Sequence, residues 1–294
     1  MARPKILLTG AAGQLGFELA RSLAHHGELI ALDRATLDLA DPDAIVAKVR
    51  QVRPQLIVNA GAYTAVDRAE TERDAAFAVN ARAPAVLAEE AKRQDAVLIH
   101  YSTDYVFDGL RTTPYDEDAP VSPLNVYGAS KCDGERAIHA SGARALVFRT
   151  SWVYGARGRN FLLTMLRLAS ERDELLVVAD QHGTPNWSRT LSDATAAAVA
   201  RGLPWLAARA GLYHMVSAGA TTWHGFAQAI VGDVARPRVV PIATSDYPAP
   251  ARRPPYGVLS ARKFEETFGY RMPGWRDELA ACRADMQAHP HPRD

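Results

Sequence analysis

Long apolar runs are missing from this chain. No stretch of its 294 residues reaches the roughly 18 apolar positions that a membrane-spanning helix needs, so no membrane partner is expected. A charge excess is missing too: 34 basic side chains face 33 acidic ones, for a net charge of +1. That balance gives no global electrostatic reason to bind nucleic acid or a membrane surface. Cysteine is scarce. Cys132 and Cys282 form no CxxC motif and read as free thiols in a reducing cytoplasm. The opening Met1-Ala-Arg-Pro-Lys-Ile-Leu-Leu8 enters a strand directly and shows no signal-peptide apolar region. Internal repeats and low-complexity tracts are also lacking, and the tail His289-Pro-His-Pro-Arg-Asp294 reads as a frayed end rather than a metal site.

What is present is an alternation of short apolar runs with amphipathic ones. Lys5-Ile-Leu-Leu-Thr9 reads as a strand and leads into Gly10-Ala-Ala-Gly13-Gln-Leu-Gly16, after which an amphipathic run from Phe17 stops at Gly27. Strand, glycine turn and helix in that order are the context of a dinucleotide-binding turn. Gly10 and Gly13 permit a tight turn and close approach to a pyrophosphate, Gly16 lets helix and strand pack closely, and the helix N-terminus offers free N–H groups. A second strand, Glu28 to Asp33, ends on an acid that would bond a ribose and favour NAD. Arg34 follows at once and would instead meet the 2′-phosphate of NADP. Asp41-Pro42 caps a helix running to about Arg53. Leu56 to Ala62 reads as a third strand and Ala96 to Phe107 as a fourth, with the hydroxyls Ser102 and Thr103 near its carboxyl end. A fifth spans about Ala145 to Gly155. Strands alternating with helices argue for an α/β fold with a Rossmann-type, doubly wound parallel sheet.

Ser122-Pro-Leu-Asn-Val-Tyr-Gly-Ala-Ser-Lys131 carries the chemistry. Ser122 as N-cap and Pro123 in the first turn predict a helix start. Tyr127 and Lys131 then share one face, a turn apart. A tyrosine with its ordinary pKa of about 10 is a poor acid–base group, and a neighbouring ammonium would lower that value. A surface Tyr and Lys on an amphipathic helix would show the same spacing. The glycine turn and the Ser102-Thr103 strand end favour the catalytic reading.

Past Trp152 the pattern changes. A helix (160–172), a strand (175–179), a helix (191–208), the segments 211–217 and 222–234, and a last helical stretch to about 287 suggest a division: 1–152 as nucleotide-binding domain, 153–294 mostly as a smaller C-terminal substrate-binding lobe. The helix near 188–208 is expected to pack back on the first part. Arg252 and Arg253, in a proline-rich run, suit a loop meeting an anionic ligand, or a solvated basic loop.

Across nearly the whole chain these residues resemble the extended short-chain dehydrogenase/reductases, and within them the bacterial branch acting on a dTDP-linked 4-keto-6-deoxy sugar. The carriers are Gly10–Gly16, Asn59–Glu70, Ser102-Thr-Asp-Tyr-Val-Phe107, Ser122–Gly128, Arg149-Thr-Ser-Trp-Val-Tyr154, and Tyr213-His-Met with Thr221-Thr-Trp-His224. The activity the resemblance implies is NADPH- or NADH-dependent reduction of the C4 ketone of dTDP-4-dehydro-L-rhamnose to dTDP-L-rhamnose, the last step toward a precursor of cell-surface polysaccharide. It implies Tyr127 as proton donor, Lys131 as its partner and Thr103 as a hydrogen-bond partner of the reacting oxygen. It lines the cofactor with Gly10, Ala11, Ala12, Gly13, Gln14, Leu15, Gly16, Asp33, Arg34, Asp38, Leu39, Ala60, Ala62, Tyr63, Thr64, Tyr127 and Lys131. The sugar nucleotide falls to Thr103, Asp104, Trp152 and Arg253, and a homodimer is one option. Two stretches depart from the family pattern: Gly183-Thr-Pro-Asn186, where Gly-x-Pro-Thr is usual, and Arg253-Pro-Pro-Tyr-Gly-Val-Leu259, where Arg-Pro-x-Asn-Ser-x-Leu is usual. Some relatives are associated with Mg²⁺. Arg189 stands here where an acidic residue would be needed, no ligand set is identified, and no metal is expected. The rival activities are another sugar-nucleotide enzyme that recycles NAD, an epimerase or dehydratase, and a non-catalytic NADP-binding regulatory subunit. The segment Thr103-Asp-Tyr lacks the Asp-Glu pair typical of the dehydratases.

Overall fold

The computed structural model describes residues 3–232 and 237–289. The tail beyond residue 289 and the end of the segment read as 222–234 lie outside them. Six parallel strands form the main sheet: β1 (Lys5–Thr9), β2 (Glu28–Leu32), β3 (Leu56–Asn59), β4 (Val97–Thr103), β5 (Ala145–Thr150) and β6 (Gly211–His214). They lie in the order β6-β5-β4-β3-β1-β2. The direction of the winding reverses between β1 and β3, and in such sheets ligands bind outside the carboxyl ends of the strands at that point.

Alternate residues of the central strands are apolar on both sides because helices cover both faces. Ile6, Leu8, Val58 and Phe148 face one core, together with α1 (Gln14–Leu23) and α5 (Ser188–Val199). Leu7, Ile57, Leu98 and Val147 face the other, under α2 (Pro42–Val52), α3 (Ala83–Arg93) and α4 (Val126–Ser141). Helix α2 begins as its sequence dictates, with Asp41 accepting from the backbone N–H groups of Asp43 and Ala44. The start of α4 differs from expectation. Asn125, not Ser122, caps it, with the Asn125 side chain accepting from Gly128 N at 2.8 Å.

Two further expectations need correction. The helix read as 191–208 is two, α5 and a short Leu203–Ala207, and α5 lies against α1 with Ser22 and Ser192 hydroxyls 2.7 Å apart. The segment 211–217, assigned to the smaller lobe, supplies β6, which pairs in parallel with β5 at the edge of the main sheet. Outside that sheet, helices Phe161–Glu171, Trp223–Val231 and Trp275–Ala288 surround a core of Leu162, Phe226, Trp275 and Leu279. A parallel pair, Glu174–Val178 with Arg238–Ile242, borders it.

The tightest backbone contact lies at the β1–α1 turn. Gly10 has φ +74°, and a Cβ there would stand 2.5 Å from Gly61 N. A Cβ on Gly16 would drive into the Gly10 carbonyl, with backbone and not a flexible side chain on the other side. Gly16→Ala should therefore destabilise the protein by about 1–3 kcal/mol in chemical denaturation. Gly13→Ala, whose Cβ would stand 3.2 Å from that carbonyl, should lose markedly less; equal losses would contradict the packing described.

Candidate active site

The carboxyl end of β4 and the first turns of α4 are pressed together by a glycine. A Cβ on Gly128 would strike the Tyr105 carbonyl, so α4 runs against the turn that follows Thr103. The Tyr105 and Tyr127 rings then meet edge-on, centroids 5.7 Å apart. Ser130 donates to the Tyr127 carbonyl at 2.7 Å and accepts from the Asn80 amide at 3.0 Å, which ties this turn to the segment after β3. Asn80 also bonds the backbone of Tyr63 in both directions.

Thr103 is buried and hydrogen-bonded twice: its hydroxyl donates to Asp104 Oδ1 at 3.0 Å and accepts from Tyr105 N at 3.1 Å. Burial pushes the Asp104 carboxyl up to about 7, with Thr103 opposing. Its other oxygen, Oδ2, has no hydrogen-bond partner among the described residues and lies close to the Gly257 backbone. Tyr127 moves opposite to the expected direction. Burial pushes its hydroxyl up to about 12, the Thr103 hydroxyl pulls it back, and Asp104 raises it further. Lys131 does not lower it. Lys131 is itself 2 % exposed, and burial pushes its ammonium down to about 8 while Glu135 opposes. Its Nζ donates to the Tyr101 carbonyl at 2.6 Å and lies 3.1 Å from His100 Nε2.

The predicted cofactor residues gather at the carboxyl ends of β1, β2 and β3. Helix α1 has Gly13 at its N-cap, with no side-chain cap and no acid in its first turn, so its first N–H groups are open to an anion. Ala11 N bonds Leu32 O at 3.0 Å, joining the turn to β2. Ala12 is exposed beside it, and Leu15 packs into the core beneath. Gln14 turns toward the other lobe, accepting from Asn160 Nδ2 at 2.8 Å. Asp33 directly follows β2, and its carboxylate, held below the usual range by Thr36, closes a turn through Thr36 N and Oγ1. Arg34 is exposed. Asp38 accepts from Ala40 N, and Leu39 covers the Gly61 backbone. Ala60 packs against the core, Ala62 and Thr64 are exposed, and the Tyr63 hydroxyl donates to Glu72 at 2.6 Å. The cradle formed by Gly10, Gly61 and the open end of α1 fits a dinucleotide pyrophosphate.

The expected substrate residues are less uniform. Trp152 has φ +42° and stacks on Trp223, centroids 3.6 Å apart, with the Gly183 backbone close to its ring. Arg253 forms a two-pronged ion pair with Asp67, at 2.8 and 3.0 Å. It also borders an open cavity of about 470 Å³ with Asp180, Gln181, Thr244, Tyr247 and Arg252. Around Arg189 the residues do not fit a metal: its guanidinium lies between the carboxylates of Glu18 and Asp285, at 3.0 and 2.6 Å. Sequence reasoning missed His100, Asn59, Asp67 and Trp223. His100 left a local signal, a basic ring inside an apolar strand, and Asn59, Asp67 and Trp223 lie in stretches that carry the family resemblance.

The family model described as RmlD substrate binding domain matches residues 4–288. A dTDP-4-dehydrorhamnose reductase of Burkholderia thailandensis is 50% identical, over 96% of this chain and 99% of that one. The protein of that name from Escherichia coli K12 is 45% identical over 92% and 94%. A solved dTDP-4-dehydrorhamnose reductase from Bacillus anthracis, in complex with NADP, superposes with a TM-score of 0.89 at 34% identity, covering 97% of this chain and all of that one. The chain belongs to the family of the RmlD substrate binding domain.

Proposed function

We propose that this protein reduces the C4 ketone of dTDP-4-dehydro-L-rhamnose to dTDP-L-rhamnose, using NADPH or NADH. The observation that carries the reading is a tyrosine hydroxyl that holds its proton, set beside Thr103 at the sheet edge that also presents the glycine cradle. When bound, the nicotinamide supplies the hydride. Tyr127, its hydroxyl pushed up to about 12 by burial, stays protonated at neutral pH and gives that proton to the oxygen at C4. Thr103, whose hydroxyl hydrogen rests on Asp104 Oδ1, turns that hydrogen to the same oxygen when the substrate is bound. Gly10 to Gly16 and the open end of α1 hold the pyrophosphate; Asp33 and Arg34 meet the adenosine ribose. The Trp152–Trp223 stack offers the apolar wall for a deoxysugar, and Arg253 faces the anionic part of the substrate. The same reading includes a cytoplasmic location, in keeping with two buried free thiols.

Three outcomes test it. Tyr127→Phe removes one oxygen, so the protein should fold and bind NADPH while kcat falls by about 10²–10⁴-fold; near-parental turnover would end the reading. Both cofactors should serve within about tenfold, or about 1.4 kcal/mol. Asp33→Ala should then shift the kcat/KM ratio toward NADPH, and a shift toward NADH would remove Asp33 as the ribose contact. Trp152→Ala should raise the KM for the sugar nucleotide and leave that for NADPH unchanged; equal losses would reduce Trp152 to a packing residue.

A further inference from the structure

Among the described residues, three besides glycines have a positive φ: Arg53, which ends α2, Asp95, in the turn before β4, and Trp152. The first two are exposed chain reversals. Trp152, at φ +42°, is bulky and half-buried. Such a residue keeps that conformation only where its surroundings fix it. Asn186 does so. The φ and ψ of residue 152 are set by the peptide planes before and after it, and Asn186 holds the carbonyl of each. Its side-chain amide donates to Ser151 O at 2.6 Å and its backbone N–H to Trp152 O at 3.2 Å. The way the amide faces follows from its other contacts. Ser217 N–H can only donate, and it lies 2.6 Å from Oδ1, where the Ser217 hydroxyl also donates at 2.9 Å. The NH₂ group therefore faces two carbonyls, Ser151 O and, at 2.8 Å, Thr184 O. Asn186 is fully buried, and its two hydrogens and two lone pairs are all used. A threonine, the usual residue of the family at this place, has one hydrogen to give and would leave one of those carbonyls unmatched.

We infer that Asn186 is a positioning residue for the sugar nucleotide: by fixing both peptides of Trp152 it turns the indole out of the line of β5 and onto Trp223. The two rings stack with centroids 3.6 Å apart and planes 9° apart. The Gly183 backbone lies against the Trp152 ring, so closely that a Cβ there would strike it. With an extended backbone at residue 152 the Cβ would leave the chain on another side and carry the indole away from Trp223. Ser151 directly follows β5 and Ser217 comes shortly after β6, both strands of the main sheet. His182–Gly183 instead pairs with Thr221–Thr222, next to Trp223. One amide thus ties the sheet edge to the segment that carries the second indole. The inference rests on the reading of the Trp152–Trp223 stack as the wall for a deoxysugar, and it names what keeps that wall in place.

Two stacked indoles couple their electronic transitions and give a paired positive and negative circular-dichroism band that a lone indole lacks. Trp152→Phe and Trp223→Phe would each identify that band in the full chain. Asn186→Asp keeps the shape and the acceptors but turns an oxygen toward two carbonyls. Ser217→Ala removes one donor to Oδ1 and is the milder change. Asn186→Asp should abolish the paired band and raise the KM for the sugar nucleotide about tenfold. Ser217→Ala should do the same in smaller measure. The KM for NADPH, and kcat at saturating sugar nucleotide, should stay at the parental values. With Trp152→Ala already present, Asn186→Asp should add nothing to the KM for the sugar nucleotide. Should Asn186→Asp fail to fold, Ser217→Ala decides alone. Absence of the band from the parent, its survival in these variants, or its loss with the sugar-nucleotide KM unmoved would overturn the inference. So would a joint rise in both KM values, which would make Asn186 a packing residue. Failure of the reductase reading would instead appear as a parent that oxidises neither cofactor with the keto sugar, while the band is still lost on Asn186→Asp.

Discussion

A line of buried polar contacts, Thr9 to Asn59 to His100 to Lys131, crosses β1, β3 and β4 and ends on α4. Each member is almost wholly shielded from water, and an unmatched polar group there would cost roughly 1–3 kcal/mol. The line therefore admits one register between the strands and one height of α4 above them. Asn59 also holds Gly61 N–H, the atom nearest to a Cβ on Gly10. The cofactor cradle and the proton donor are thus spaced by one set of hydrogen bonds. A shift in either strand would be felt at both.

The substrate side is joined to this frame by a few long-range contacts. Arg253 grips Asp67 in the segment after β3. The Arg252 carbonyl accepts from the side chain of Asn125 at 2.8 Å, the same residue that caps α4. Gly257 lies against Asp104. The loop 251–257 therefore touches the start of the Tyr127 helix and the carboxyl beside Thr103. Placement of the sugar end of a substrate and placement of the acid depend on the same few atoms.

What could be read from sequence follows how local each signal is. The glycine turn and the Asp41 cap of α2 act over a few residues and were legible. Tyr127 and Lys131 kept their shared face although the cap is Asn125 and not Ser122, because spacing along a helix does not depend on its first residue. The pairing of β6 with β5 was hidden by some sixty intervening residues, which local pattern cannot bridge. Asp67 and Arg253 are 186 positions apart, and nothing near either one announces the other. The sign of the Tyr127 shift is not legible for a different reason: burial raises it, and burial is a property of the packed site.

The central claim is that hydride reaches C4 of the keto sugar while this chain supplies the proton. The most direct measurement is to supply dTDP-4-dehydro-L-rhamnose with NADPH deuterated at the transferable position and to examine the product by NMR and mass spectrometry. The account predicts dTDP-L-rhamnose carrying one deuterium, at C4. Consumption of the sugar with no label at C4, or no oxidation of either cofactor, would contradict it.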